Sequence, residues 1–169
     1  LYNHPPLLIA LLKLWAALES ATGIPLRFWL RATGSLADTA TLWLLYRAAL
    51  AGRWNISGPA LCALAANPVS LFISGFHGNT DPLMICFAVA SAYALEIGGS
   101  LAASAVLLAL AVEIKVVPLL LLPALLLYLP TTRARLRWAA LFTGAALLPV
   151  LPYLGILPAM ARNILGYGS

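Results

Sequence analysis

A polar stretch, His77 to Asp81, places an imidazole, an amide, a hydroxyl and a carboxylate within five positions of an otherwise apolar sequence. Asp81 could act as a base or bind a cation, while His77 and Asn79 could hydrogen-bond hydroxyls or a phosphate. The stretch also fits a helix start at which Asp81 or Thr80 is the cap, because Pro82 suits the first position of a helix. Capping does not explain the imidazole, so the sequence predicts a loop that faces a ligand.

Lys115 is the second candidate, because an ammonium group within apolar sequence is costly unless it faces a cavity, a partner or the membrane interface. One interpretation is that Lys115 holds an anionic phosphate. The structural alternative is local pairing or snorkelling at a chain reversal. Glu113 lies two residues earlier and therefore on a different helix face.

Asp38 is a third candidate, because it lies deep inside an apolar stretch that also carries several threonines and serines. A carboxylate within a membrane span suggests a functional site. Arg31 lies on the same helix face about two turns earlier, so the favoured interpretation is a structural polar seam between the two residues.

The composition indicates which elements must position these residues. The chain of 169 residues is 63% hydrophobic and 9% charged, with a mean hydropathy of +0.96, far from the composition of a soluble domain. Long apolar runs such as Leu101 to Val112 would leave no solvated helix face in water. The net charge of +5 comes mainly from arginines that flank apolar runs, which suits a membrane surface better than nucleic acid. No nucleotide-binding glycine motif, zinc ligand set or serine triad is present.

A transmembrane helix needs about 20 mainly apolar residues, and four candidates meet this requirement. They are Phe28 to Leu50, Ile56 to Gly75, Pro82 to Ile97, and Trp138 to Leu157. Pro5 to Ala21 is shorter and contains Lys13 and Glu19, which favours a juxtamembrane helix. The predicted fold is therefore all-α, a polytopic transmembrane helical bundle with about five to six membrane segments in a single membrane domain.

The region Leu101 to Leu129 allows two topologies. It would be about 43 Å long as one straight helix, and it contains Pro118 and Pro123, so it is either one kinked span or a hairpin of two short helices. The two topologies place the His77 loop on opposite sides of the membrane. Counting positive charges does not decide between them. A hairpin groups Arg47, Arg53, Arg133, Arg135 and Arg137 against Arg27, Arg31 and Arg162; a single span groups Arg27, Arg31, Arg133, Arg135 and Arg137 against the others.

The order of short motifs resembles the GT-C glycosyltransferases, in particular their polytopic mannosyltransferase-like members. The motifs are Tyr2-Asn3-His4-Pro5-Pro6-Leu7, Arg31 through Asp38, Asn67-Pro68, His77-Gly78-Asn79-Thr80-Asp81-Pro82 and Ile114-Lys115-Val116-Val117-Pro118. The resemblance implies transfer of a hexose, with mannose as first candidate, from a polyprenyl-phosphate donor to a sugar, lipid or protein acceptor on the extracytoplasmic side. It implies an outward-facing His77 loop and thus the hairpin.

The resemblance also implies roles for particular residues. His77, Asn79 and Asp81 would line the donor or acceptor pocket, Lys115 would contact the lipid-linked phosphate, and His4 and Arg31 would belong to the same substrate site. An acidic catalytic base is expected upstream of Leu1, because residues 1–24 are similar to the end of an outer loop followed by a juxtamembrane helix.

We therefore expect a piece of a longer multi-pass protein, with transmembrane helices over residues 28–157 and the start of another outer loop at 158–169. No metal, cofactor or nucleic-acid partner is expected. A bacterial plasma membrane is the expected location.

Two other classes of function remain open. A secondary transporter could use the broken segment near Lys115 as a midplane site. A non-catalytic membrane subunit could use the polar loop as a contact surface.

Overall fold

The computed structural model describes residues 5–156, 158 and 162, and this part of the chain is helical without any strand. The expectation of an all-α fold is therefore confirmed. His4 and most of residues 158–169 lie outside the described residues. The α-helices are α1 (Pro6–Thr22), α2 (Leu26–Leu50), α3 (Gly58–Ala65), α4 (Pro68–Phe72), α5 (Asp81–Glu96), α6 (Leu101–Ile114), α7 (Leu122–Tyr128) and α8 (Thr132–Leu147).

One π-helical segment and two 3₁₀ segments adjoin these α-helices. A π-helical turn, Ile73–His77, continues α4. A 3₁₀ segment, Val117–Leu121, precedes α7, and another, Leu148–Ile156, follows α8.

Two helical stretches of the described residues are long and apolar enough to cross a membrane, Gly58–His77 and Thr132–Pro152. Helices α5 and α6 have 16 and 14 residues, which gives lengths of about 24 and 21 Å at 1.5 Å per residue. Both are shorter than a hydrocarbon core of about 30 Å. By length and composition, two of the predicted membrane segments, Ile56 to Gly75 and Trp138 to Leu157, overlap helices that could cross a membrane.

The helix starts follow from local sequence. Four helices begin after a side chain that accepts a hydrogen bond from a free backbone N–H group of the first turn, which stabilises the start. These N-caps are Ser57 on α3, Asn67 on α4, Ser100 on α6 and Thr131 on α8. Asn67 also interrupts the stretch Gly58–His77, because the following Pro68 disfavours helical backbone at the preceding residue.

Helices α5, α6 and α8 form the core. Ser91 on α5 donates to the backbone carbonyl of Ser104 on α6 at 2.8 Å, and the indole of Trp138 on α8 donates to the Ser104 hydroxyl at 3.1 Å. Trp138 is fully buried and its ring stacks on Phe142 with a centroid distance of 5.4 Å. Small residues at these crossings allow the helix backbones to approach closely.

The chain reverses at Lys115. Helix α6 ends there in extended backbone, with φ −148° and ψ 147°. Leu122 and Leu125 of the following segment then pack against the core cluster that contains Leu108 of α6, so α7 returns along α6. Of the two predicted topologies, the structure has the hairpin.

The hairpin determines which charged residues share an end of the bundle. Thr131 and Arg133, at the start of α8, line one groove with Leu101, the first residue of α6. Lys115 follows the last residue of α6 and therefore lies at the opposite end. We call the end that contains Lys115 the lysine end and the other the arginine end.

Helix α1 lies across the lysine end. Its first turn contains the buried residues Pro6 and Leu8, and the helix contacts α6. Its last turn meets the start of α2, where the backbone N–H of Leu26 donates to the Glu19 carboxylate at 3.0 Å. Trp15 on its inner face is buried.

Candidate functional site

Asn79, Asp81 and Lys115 form one connected polar cluster at the lysine end. The Lys115 ammonium makes an ion pair with one carboxylate oxygen of Asp81. The side-chain amide of Asn79 donates to the other oxygen at 2.6 Å. The side chains of Lys115 and Asp81 are 28% and 33% exposed, so the cluster is open to a ligand from outside. The structure thus brings together three of the residues predicted from sequence.

The backbone around each residue explains how the cluster forms. Lys115 follows the last turn of α6 in extended conformation, which carries it away from the helix towards the start of α5. Asp81 is the first residue of α5, and Asn79 lies in the loop before it. An ammonium group has three hydrogen-bond donors. Asp81 therefore holds Lys115 in place and leaves donors free for another acceptor.

The loop before α5 is fixed by Gly78. This residue has φ +67° and its N–H donates to the carbonyl of Ile73 at 3.1 Å, which closes the π-helical turn. A Cβ atom at this position would lie 3.3 Å from Leu30 Cβ on α2. Only glycine combines this left-handed backbone with so close an approach to α2. The turn directs Asn79 towards Asp81.

The capping interpretation of this loop is only partly correct. Helix α5 begins at Asp81, one residue before the predicted first position at Pro82, and the Thr80 hydroxyl at its N-cap makes no capping hydrogen bond. The backbone N–H of Thr80 instead donates to the Asn79 side-chain carbonyl at 2.7 Å. The Asp81 carboxylate is engaged by Asn79 and Lys115, so its contacts belong to the cluster and not to a helix cap.

Arg31 and His77 flank the ring of Phe76. The Arg31 guanidinium lies over this ring, 5.6 Å from its centroid, and the exposed imidazole of His77 meets it edge to face at 6.5 Å. Arg31 also lies beside Gly78, since a Cβ atom there would be 3.6 Å from Arg31 Cγ. Arg31 therefore adds a positive charge next to the loop. Neither side chain contacts the Lys115 ion pair.

Asp38 has a different partner from the predicted one. Its carboxylate accepts a hydrogen bond from the Ser74 hydroxyl, whereas Arg31 stacks on Phe76. Two helical turns separate Arg31 from Asp38, about 11 Å along the axis, while α2 packs directly against the π-helical turn that carries Ser74. The predicted polar seam is therefore wrong. Sequence reasoning identified Asp38 but missed Ser74, whose position depends on tertiary packing.

No protein-family model, curated protein or solved structure matches this chain. Within residues 5–156, 158 and 162, no three histidine, cysteine, aspartate or glutamate side chains are grouped as a metal ion would require. The chemistry of the site is therefore inferred from its own residues.

Proposed function

We propose that this protein is a multi-pass membrane glycosyltransferase that transfers a hexose from a polyprenyl-phosphate donor to an extracytoplasmic acceptor, with mannose as the first candidate sugar. The observation that carries the proposal is the Asn79, Asp81 and Lys115 cluster at one end of an apolar helical bundle. The phosphate of a lipid-linked donor lies at the membrane surface, because the lipid chain lies in the hydrocarbon and the phosphate and sugar do not. The end of a helical bundle lies at the same depth.

The cluster suits a phosphate leaving group. When the bond between sugar and phosphate breaks, negative charge develops on the phosphate, and a fixed cation stabilises that charge more than it stabilises the ground state. Lys115 supplies this cation and Asp81 fixes its position. Arg31, beside the same loop, offsets the charge of the Asp81 carboxylate, so that the region favours an anion.

The connection between two sequence motifs adds support. The resemblance to GT-C enzymes rests in part on the motif that contains His77 to Pro82 and on the motif around Lys115, which lie far apart in the chain. The Asp81 to Lys115 ion pair joins these two motifs. The proposed common role of the two motifs, binding of the donor, requires that they lie in one site.

The proposed outward orientation of the cluster rests on the resemblance to GT-C enzymes. Among the described residues of the hairpin, the arginine end carries Arg47, Arg53, Arg133, Arg135 and Arg137, and the lysine end carries Lys13, Arg27, Arg31 and Lys115. Because the positive-inside rule counts lysines as well as arginines, five charges against four do not assign either end to the cytoplasm. Polyprenyl-phosphate sugars serve as donors to GT-C enzymes on the extracytoplasmic side, so the cluster would face that side.

A transfer assay tests the proposal. The purified full-length protein in proteoliposomes would be supplied with labelled polyprenyl-phosphate hexoses and an acceptor extract, and the label transferred would be measured. We expect transfer by the wild type and a loss of at least tenfold in Lys115→Ala. Lys13→Ala, which changes an exposed lysine of α1, is the matched control. Absence of transfer from every donor, or equal transfer by Lys115→Ala and Lys13→Ala, would contradict the proposal.

A secondary transporter is the second candidate, because one observation favours it. The helical stretch Gly58–His77 is interrupted at Asn67 and ends in a π-helical turn next to the Asp38 carboxylate. Broken helices beside a charged residue are typical of transport sites. Uptake of labelled sugars into proteoliposomes would distinguish this function, since a transferase forms a new glycoside and does not accumulate free sugar.

A further inference from the structure

A groove of about 370 Å³ separates α2 from the stretch Gly58–His77 and reaches α5 at Ile85. This volume is within the range of small-molecule sites. Asp38 and Ser74 lie at one part of its wall and are hydrogen-bonded to each other. The groove is distinct from the Lys115 ion pair, since neither partner of that pair lines it.

The polar part of the groove is rich in hydrogen-bond acceptors. One Asp38 oxygen accepts from Ser74, and the other has lone pairs available for a donor. The hydroxyls of Thr39 and Thr41 donate to backbone carbonyls of α2 at 2.8 Å, which leaves their oxygens to accept. None of the described residues that line the groove is a cation. A phosphate would be repelled here, whereas the hydroxyls of a sugar or polyol would find acceptors.

The polarity of the groove changes along α2. Ser35 and Asp38 lie nearer the lysine end, and Leu42 and Leu45 line the groove one to two turns further along the helix, joined by Leu64 of α3. A ligand that matches both parts has a hydroxylated head and a hydrocarbon chain. Because exposed apolar side chains such as Leu64 border the opening, such a ligand could enter from the lipid.

We propose that this groove binds a lipid with an uncharged, hydroxylated head, whose hydroxyls donate to Asp38 and whose chain lies along Leu42 and Leu45. Ile85 follows Asp81 by one turn of α5, about 6 Å, so the head lies close to the Lys115 cluster. If this lipid is the acceptor of the transferred sugar, the inference rests on the proposed function, and the acceptor is then a lipid rather than a free sugar or a protein. The binding itself does not depend on transfer.

Binding to the purified protein in phosphatidylcholine nanodiscs tests the inference. The probes are a radiolabelled dodecyl hexoside and its permethylated analogue, which has the same chain but no hydroxyl donors. We expect the wild type to bind the hexoside at least tenfold more tightly than the analogue. Asp38→Asn removes the charge that strengthens these hydrogen bonds and should weaken hexoside binding about tenfold, with little effect on the analogue.

Two matched tryptophan variants test the location without changing a polar group. Ile85→Trp fills the groove and should weaken both probes, whereas Val106→Trp changes an exposed apolar residue on α6 and should bind within twofold of wild type. If Asp38→Asn does not fold, the Ile85→Trp result decides. Equal affinity for the two probes in the wild type, or wild-type binding by Ile85→Trp, would overturn the inference.

The results also separate this inference from the proposed function. Hexoside binding that depends on Asp38, together with no sugar transfer from any donor, would refute the transferase and leave the groove as a lipid site. Sugar transfer that depends on Lys115, together with hexoside binding that is unaffected by either groove variant, would refute the groove and leave the transferase.

Discussion

Replacement by alanine should have opposite effects on stability at Gly78, which lies in the loop before α5, and at Gly34, which packs against that loop. Gly78 has φ +67°, and an alanine there would meet Leu30 Cβ at 3.3 Å. The left-handed backbone alone costs about 1–2 kcal/mol for an ordinary residue, and Leu30 must also move. Gly34 lies inside α2, and its new Cβ would meet Ser74 at 3.5 Å, an ordinary contact. Alanine there should stabilise the helix by about 0.5–1 kcal/mol.

The two variants should therefore differ by about 2 kcal/mol or more in the free energy of unfolding. Titration of the purified protein from mild detergent into SDS, followed by circular dichroism, measures this difference. Each variant adds the same methyl group, so they control for each other. Equal unfolding midpoints for Gly78→Ala and Gly34→Ala would refute the assignment of the left-handed turn that directs Asn79 towards Asp81.

Three further predictions concern the topology, the ion pair and the core. In a protein whose Cys62 and Cys86 are replaced by alanine, the variants His77→Cys and Arg133→Cys should react with a membrane-impermeant thiol reagent from opposite sides of the membrane. Labelling of both from one side would contradict the hairpin. Asp81→Asn should change the free energy of unfolding by less than about 1 kcal/mol, since partly exposed ion pairs contribute little, but it should lower sugar transfer clearly; wild-type transfer rates would refute the positioning role. Trp138→Phe removes the buried hydrogen bond to Ser104 and should destabilise the protein by about 1–3 kcal/mol, whereas the exposed Trp43→Phe should have little effect in the same SDS titration.

Local sequence predicts much of this fold because the helix boundaries have local causes. Proline at the start of α5, serine before α6 and threonine before α8 each mark a helix start that the structure contains. The proximity of Asn79 and Asp81 could also be predicted from the sequence, because two polar residues in one tight loop must lie near each other. The chain reversal at Lys115 was one of two open alternatives, because proline disfavours helix without specifying the direction in which the chain continues.

Contacts between residues far apart in the chain were harder to predict from the sequence. The contact between Asp38 and Ser74 joins two helices, and periodicity along α2 alone suggested Arg31 instead. The aromatic ring of Phe76, which attracts the guanidinium through its π-electrons, was not distinguished by sequence from other apolar residues. Length and composition mark only Gly58–His77 and Thr132–Pro152 as candidate spans among the described residues, so the expected five to six membrane segments stay a prediction.

The most direct test of the phosphate site is the affinity for a polyprenyl phosphate without a sugar, measured in nanodiscs for the wild type, Lys115→Ala and Lys13→Ala. This ligand has the phosphate and the chain, but no hydroxylated head for the Asp38 groove. If Lys115 holds the lipid-linked phosphate, Lys115→Ala should bind at least tenfold more weakly than the wild type, and Lys13→Ala should bind within twofold of it. Equal affinities for all three proteins would contradict the account.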